Sequence, residues 1–336
     1  MSFLRKHFNI SFNSLSTLRG FTTLTSKPFP DNPTATYYDN VAADVANSGD
    51  FDSLRDLLNK RIQDGFFNTK RTFSFITNTN FSPSFLNDVV TTLSHLNPGF
   101  TRRNAFDSLV TRLCKLRRVD DALHVIESMS RVGDCNLSPC TFHPILNLLT
   151  REKSLDHAQR VVESMTRLGV PLDLAGHNFF LTAHCFIGDV NAAVGVLEKM
   201  EEKGFCPDAR TYDALVLGAC RKGKVDCAMV VVRRMVDDGV PMLYSTHMHV
   251  IEGLLKMNCF EEAMKYVRCF SGKDKALDCE LFGCLGSKLV GFNRVKEAMF
   301  VLGEMEKRGL LMGYKLKNFY EMNLREENDG KLLKEL

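Results

Sequence analysis

The chain has 336 residues, 44% of them hydrophobic and 25% charged, a balance that allows a packed core and excludes a chain too polar to fold. No apolar run approaches the roughly 20 residues a membrane-spanning helix needs, so membrane insertion is not expected. The formal net charge is only +3, which leaves any attraction for polyanions to local patches.

Residues 1–30 differ from the rest. Arg5, Lys6, Arg19 and Lys27 stand among many Ser, Thr and Phe, with no acid before Asp31; that is the composition of an organelle transit peptide and linker, outside the fold. Arg19-Gly20-Phe21 followed by Thr22 resembles the Arg-x-Phe processing site of mitochondrial presequences, which implies cleavage after Phe21. The mitochondrial matrix is therefore expected, with the chloroplast as the alternative. Cleavage there removes three positive charges and no negative one, so the net charge falls from +3 to 0.

From Ala35 onward a fixed period governs the chain. The units are 35–69, 70–102, 103–138, 139–173, 174–208, 209–243, 244–278 and 279–313, and six of the eight are 35 residues long. In the clearest unit, Asn178 to Phe186 and Val190 to Glu202 are amphipathic segments broken by Gly188-Asp189 and closed by Gly204 and Pro207, so each unit reads as two helices joined by a tight turn. Val190, Ala193, Val194, Leu197 and Met200 recur on one face of the second helix, and only a neighbouring hairpin can cover that face. Unit 70–102 is degenerate, with Pro83 at the start of its second helix and no Ala-Leu pattern.

Across the units Leu54, Ala122, Ala158, Ala193, Ala228, Ala263 and Ala298 share one second-helix position, and Met129, Met165, Met200, Met235 and Met305 another. The small residue permits close helix approach and the methionine fills the core. Gly65, Gly133, Gly169, Gly204, Gly239 and Gly309 stand where the second helix ends. Residues 314–336 form a charged tail, with a last helix around Lys317 to Glu327 capping the array. The expected fold is all-α, a right-handed α-solenoid of about eight helix-turn-helix repeats.

The 11 cysteines include no Cys-x-x-Cys pair and read as reduced thiols, with Cys185 and Cys220 serving as small hydrophobes on an apolar face. Gly218 to Val225 approaches a phosphate-binding loop but has Val225 where magnesium would need Ser or Thr. His247-Met248-His249 points its two rings in different directions on a helix. No catalytic set, metal site or cofactor site is expected.

The strings Thr211-Tyr212-Asp213-Ala214-Leu215-Val216, Ala219-Cys220-Arg221-Lys222-Gly223-Lys224-Val225-Asp226 and Met200-Glu201-Glu202-Lys203-Gly204-Phe205-Cys206-Pro207-Asp208 resemble the plant organellar pentatricopeptide-repeat consensus. The uniform unit length resembles the pure-repeat subclass. The resemblance covers 35–313 and implies a non-catalytic protein that binds single-stranded organellar RNA along its first helices, in RNA processing, stabilisation or translation. It further implies base reading by the fifth and last residues of a repeat: Asn178 with Asp208, His143 with Asp173, Asp107 with Ser138, and Asp213 with Leu243. Short polar side chains at fixed intervals suit the exposed edges of unstacked bases. Met248, Gly283, Leu243 and Gly313 cannot make such bonds. The resemblance also places phosphate contacts at the thirteenth residue, where Lys115, Arg151, Arg221 and Lys256 fall. The alternative partner is a mitochondrial ribosome or another RNA-processing protein, bound by the same surface.

Fusing residues 1–30 to a fluorescent reporter should direct it to mitochondria, and reversing Arg5, Lys6 and Arg19 to Glu should abolish import, because a basic, acid-free segment is what import requires. Chloroplast fluorescence from the unaltered fusion would show that the alternative organelle is the right one.

Overall fold

The computed structural model describes residues 33–79, 82–132 and 136–335, with side chains described to residue 325. The transit segment, its cleavage site and Gly133 lie outside the described residues. The described elements are all helices: α1 (Ala35–Asn47), α2 (Phe51–Gln63), α3 (Pro83–Ser94), α4 (Phe100–Lys115), α5 (Val119–Arg131), α6 (Pro139–Arg151), α7 (Leu155–Arg167), α8 (Leu174–Ile187), α9 (Val190–Glu202), α10 (Ala209–Arg221), α11 (Val225–Asp237), α12 (Tyr244–Lys256), α13 (Phe260–Phe270), α14 (Lys275–Gly291), α15 (Val295–Lys307) and α16 (Tyr314–Glu335). It is an α-solenoid in which even the tail is one longer helix.

The hairpin turn explains why the period is so regular. Its left-handed residue is Gly49, Gly188 or Gly223 in three hairpins and Arg117, Lys153, Asn258 or Asn293 in four others, the latter with φ near 60°. The residue after it turns its N–H back to the first helix, as Ser154 does to the Leu149 carbonyl at 2.9 Å and Lys224 to Ala219 at 2.9 Å. That satisfies a carbonyl the helix end would orphan. The second helices end the same way at Gly65, Gly169, Gly204, Gly239 and Gly309, all with positive φ.

Between repeats, packing is strongest along the first helices. α4, α6, α8, α10, α12 and α14 each contact the next in a continuous row, whereas successive second helices approach far less. Two contacts set the spacing: a side-chain carbon added at Gly218 would lie 3.1 Å from Cys185, and one at Gly253 would lie 3.0 Å from Cys220. Burial in that seam raises the Cys185 thiol to about 11 and the Cys220 thiol to about 12, so both remain protonated, as the sequence reading of packed small hydrophobes requires.

The shared small position is buried in every hairpin, from Leu54 to Ala298, and so is each methionine of the second set. The α9 face is different. Ala193 and Met200 are buried and Leu197 partly so, but Val190 and Val194 are exposed, contrary to the expectation that a neighbour covers the whole face. The close approach of α10 to α8 leaves a space of about 400 Å³ beside α9, lined by Val190, Val194, Leu197, Leu215 and Lys222. The core accordingly divides there into a large N-terminal cluster, a large C-terminal cluster and a small one around Leu181, Cys185, Ala193 and Ala214.

Unit 70–102 has only its second helix, α3. Its first half, rich in Thr, Asn and aromatic residues of low helix propensity, runs as turns over 70–75. Phe73, Phe75 and Ile76 nevertheless stay buried. α4 supplies the hydrogen bonds a helix would have made internally: Arg112 donates to the Ile76 carbonyl at 2.6 Å, and Ser108 to that of Asn68 at 2.8 Å. α14 also departs from register, starting at Lys275 because Asp274 caps it by accepting from the Ala276 N–H at 2.9 Å.

Ala228→Asp should destabilise the protein by several kcal/mol, since a carboxylate would be buried without a partner. Ala193→Asp should cost clearly less, because its carboxylate can turn into the open space beside Lys222 and Lys224. Thermal melting of the two variants checks the order, and equal losses would contradict the open space at α9.

Candidate nucleic-acid interface

In two repeats the fifth and last residues come together, Asn178 with Asp208 and His143 with Asp173, and both pairs are already engaged within the protein. Asn178 Nδ2 donates to Asp208 Oδ1 at 2.9 Å, while the Asn178 Oδ1 accepts from Thr211 Oγ1 at 2.8 Å. Asn178 is only 2% exposed. Asp208 is the N-cap of α10 and accepts from the Arg210 and Thr211 N–H groups at 3.0 and 2.9 Å, a role that helix ends reward with about 1 kcal/mol. Asp173 caps α8 in the same way, through Gly176 N–H at 2.9 Å, and lies 2.9 Å from His143 Nε2.

A buried threonine at the third position of the following unit recurs as the partner of the fifth residue. Thr72 donates to Asp39 at 3.0 Å, and Thr246 to Asp213 at 2.8 Å. At Asp107 burial pushes the carboxyl up, opposed by the Thr141 hydroxyl and by Arg103. Arg103 also donates to Ser138 Oγ at 2.7 Å. Leu243 starts α12 without a side-chain cap, and Asp213 is faced by His249 at 3.8 Å. Asp278, the last residue of unit 244–278, lies inside the first turn of α14 and accepts from the Gly272 N–H at 2.8 Å, a consequence of the shifted start of that helix. The sequence does not disclose these contacts, although it does place four threonines at one repeat position.

Of the thirteenth residues, Lys115, Arg151 and Arg221 are exposed at the ends of α4, α6 and α10. Arg221 rests on the Phe186 ring, its guanidinium carbon 4.0 Å from the centroid. Lys256 is engaged by Glu252 at 2.6 Å, and Glu252 also takes Lys288 at 2.5 Å. Hydrogen bonds from these two ammonium groups hold the Glu252 carboxyl down to about 2. One of these four cations is therefore neutralised within the protein.

Along α6, α8 and α10 runs an open groove of about 680 Å³ whose wall includes Arg151, Lys153, Thr182, Phe186, Arg210 and Asp213. Among its described lining residues Asp213 is the single carboxylate. The sequence reading does not single out Lys153 and Phe186; a signal exists, since Phe186 is the thirteenth residue of its unit.

The histidines do not form a metal pair. His247 is buried, with Nδ1 2.9 Å from Tyr266 Oη, while His249 turns toward Asp213, and burial lowers the pKa of both.

A pentatricopeptide repeat-containing protein family model matches residues 79–200, and a PPR repeat model matches residues 203–236. A mitochondrial pentatricopeptide repeat-containing protein of Arabidopsis thaliana is 44% identical over 334 residues, covering 96% of this chain and 95% of its own length. A second from the same organism is 47% identical over 335 residues, covering 98% and 95%. Among solved structures, a pentatricopeptide repeat protein from maize aligns with 90% of this chain and 53% of its own at a TM-score of 0.47 and 14% identity.

Glu252 titrates lower in the folded chain than unfolded, so the stability it contributes is full above its ordinary value near 4.5 and is lost as pH falls toward 2. Glu252→Gln should flatten that part of the pH–stability curve by at most about 1 kcal/mol, the triad being screened by solvent. Chemical denaturation across that range checks it; an unaltered acid limb would mean that the triad does not form.

Proposed function

The chain belongs to the pentatricopeptide-repeat family and, like its near-full-length relatives, is mitochondrial; from that premise we propose that it is a non-catalytic protein that binds single-stranded RNA along its row of first helices. Its role is to occupy an RNA segment in organellar RNA processing, stabilisation or translation. The supporting observation is the groove over α6, α8 and α10, into which Arg151, Lys153 and Arg210 reach and whose described lining holds one carboxylate. A polyanion gains there by releasing counterions, an effect local enough to operate in a molecule whose formal net charge is only +3.

Contacts to the RNA backbone dominate in this reading. The fifth-position groups are engaged inside the protein: a base reaching Asn178 must displace bonds to Asp208 and Thr211, and Met248 and Gly283 have none to offer. Asp213 and His143, at the groove and beside it, are the more open base-reading candidates, and Asp107 with Ser138 is bridged by Arg103. The second reading is a scaffold on the mitochondrial ribosome or another RNA-processing protein. It draws support from the exposed Val190, Val194, Val230 and Val236 on second helices.

Changing Lys115, Arg151, Arg221 and Lys256 together to Gln should weaken RNA binding by a similar factor for every sequence. The slope of log affinity against log salt should fall by about 2, at about 0.7 for each of three phosphate contacts on a single strand; Lys256, held by Glu252, adds little. A salt-series titration checks this, with circular dichroism as the folding control. Unchanged affinity and slope would exclude the cation stripe as an RNA track, and a parent protein that binds no RNA would favour the scaffold.

A further inference from the structure

Phe186 stands at the thirteenth position of its unit, where Lys115, Arg151, Arg221 and Lys256 stand in others. Its ring is 40% exposed at the end of α8. What sets this ring apart from the other exposed apolar side chains is its place, one that other repeats fill with cations.

Three observations bear on its role. The ring divides two neighbouring hollows along the row of first helices: the groove of about 680 Å³ that holds Arg151 and Arg210, and a smaller one of about 250 Å³ that holds Arg221, His249 and Lys256. Two cations from the flanking repeats rest on it, Arg221 at 4.0 Å and Lys153 at 5.1 Å from the centroid. Lys153 does so from the turn position with φ 61°, which Arg117, Asn258 and Asn293 share and which Gly49, Gly188 and Gly223 fill in the other hairpins, so the turn itself tolerates Gly at that place.

We propose that Phe186 is a stacking platform for one unpaired base of single-stranded RNA, with Lys153 and Arg221 passing from its ring to the phosphates on either side of that base. A cation on an exposed ring gains little, whereas the same cation on a phosphate gains an ion pair and releases a counterion. The exchange is favourable and bares the ring face. Every base has a π face, so the contact tolerates sequence and positions the strand without reading it. It rests on the RNA-binding reading above and adds a base contact to the backbone contacts made there.

The chain contains no tryptophan, so Phe186→Trp creates a single reporter in place of the ring. Titrated with a randomised pool of short oligoribonucleotides, this variant should lose much of its fluorescence as a base stacks on the indole. Phe186→Ala should bind about 5- to 150-fold more weakly, the range expected for one lost base–aromatic stack. Lys153→Gly, which suits the turn, should lower the salt slope by about 0.7. If the parent binds the pool while the indole emission of the Phe186→Trp variant stays constant and Phe186→Ala binds within about twofold of the parent, the platform is wrong and the RNA reading stands. If the parent binds no RNA, the RNA reading itself falls and the platform with it.

Discussion

The approach of one first helix to the next, at the distance set by Gly218 against Cys185 and Gly253 against Cys220, governs the rest of the molecule. A hairpin of two thirteen-residue helices cannot enclose its own apolar face, so burial has to come from a neighbour of the same design. Close spacing of the first helices brings the shared alanines and methionines of the second helices against them, where nearly all are fully buried. It also lines up α6, α8 and α10, along which the open groove runs. Stability and the binding surface therefore have a common origin, and each interrupts the other only at α9, where the drawing together of α8 and α10 leaves valines in solvent.

The polar residues of the groove are divided between two tasks. Those at helix starts, such as Asp173 and Asp208, cap the next repeat and tie it to the previous one through His143 and Asn178. A ladder of threonines reinforces the ties by donating to Asp39, Asn178 and Asp213. Since a buried polar group must keep its partners, these residues hold the register of the stack before they can meet any ligand. The cations are free of that duty. Arg151, Lys153 and Arg210 extend from helix and turn ends into the groove, which is why backbone attraction, and one exposed ring, stand ahead of base reading in the functional account. Glu252 moderates the same surface by holding Lys256 and Lys288.

Periodicity alone determined the repeat architecture, the helix pairs, the buried alanine and methionine positions and the glycine stops, because each follows from a local rule of spacing, capping or backbone conformation that neighbouring residues satisfy among themselves. The family could be read from contiguous strings such as Ala219 to Asp226 for the same reason. Tertiary structure decided what depends on contacts between repeats: that 70–75 forms turns tied to Arg112 of α4 through the Ser74 and Ile76 carbonyls, that α14 begins at Lys275 and holds Asp278 inside its first turn, that Val190 and Val194 stay exposed, and that Asn178 is enclosed by Asp208 and Thr211. Those outcomes turn on how residues some thirty to forty positions apart compete for the same hydrogen bonds and the same space. A one-dimensional pattern records which residues recur, but not which of them reaches its partner first.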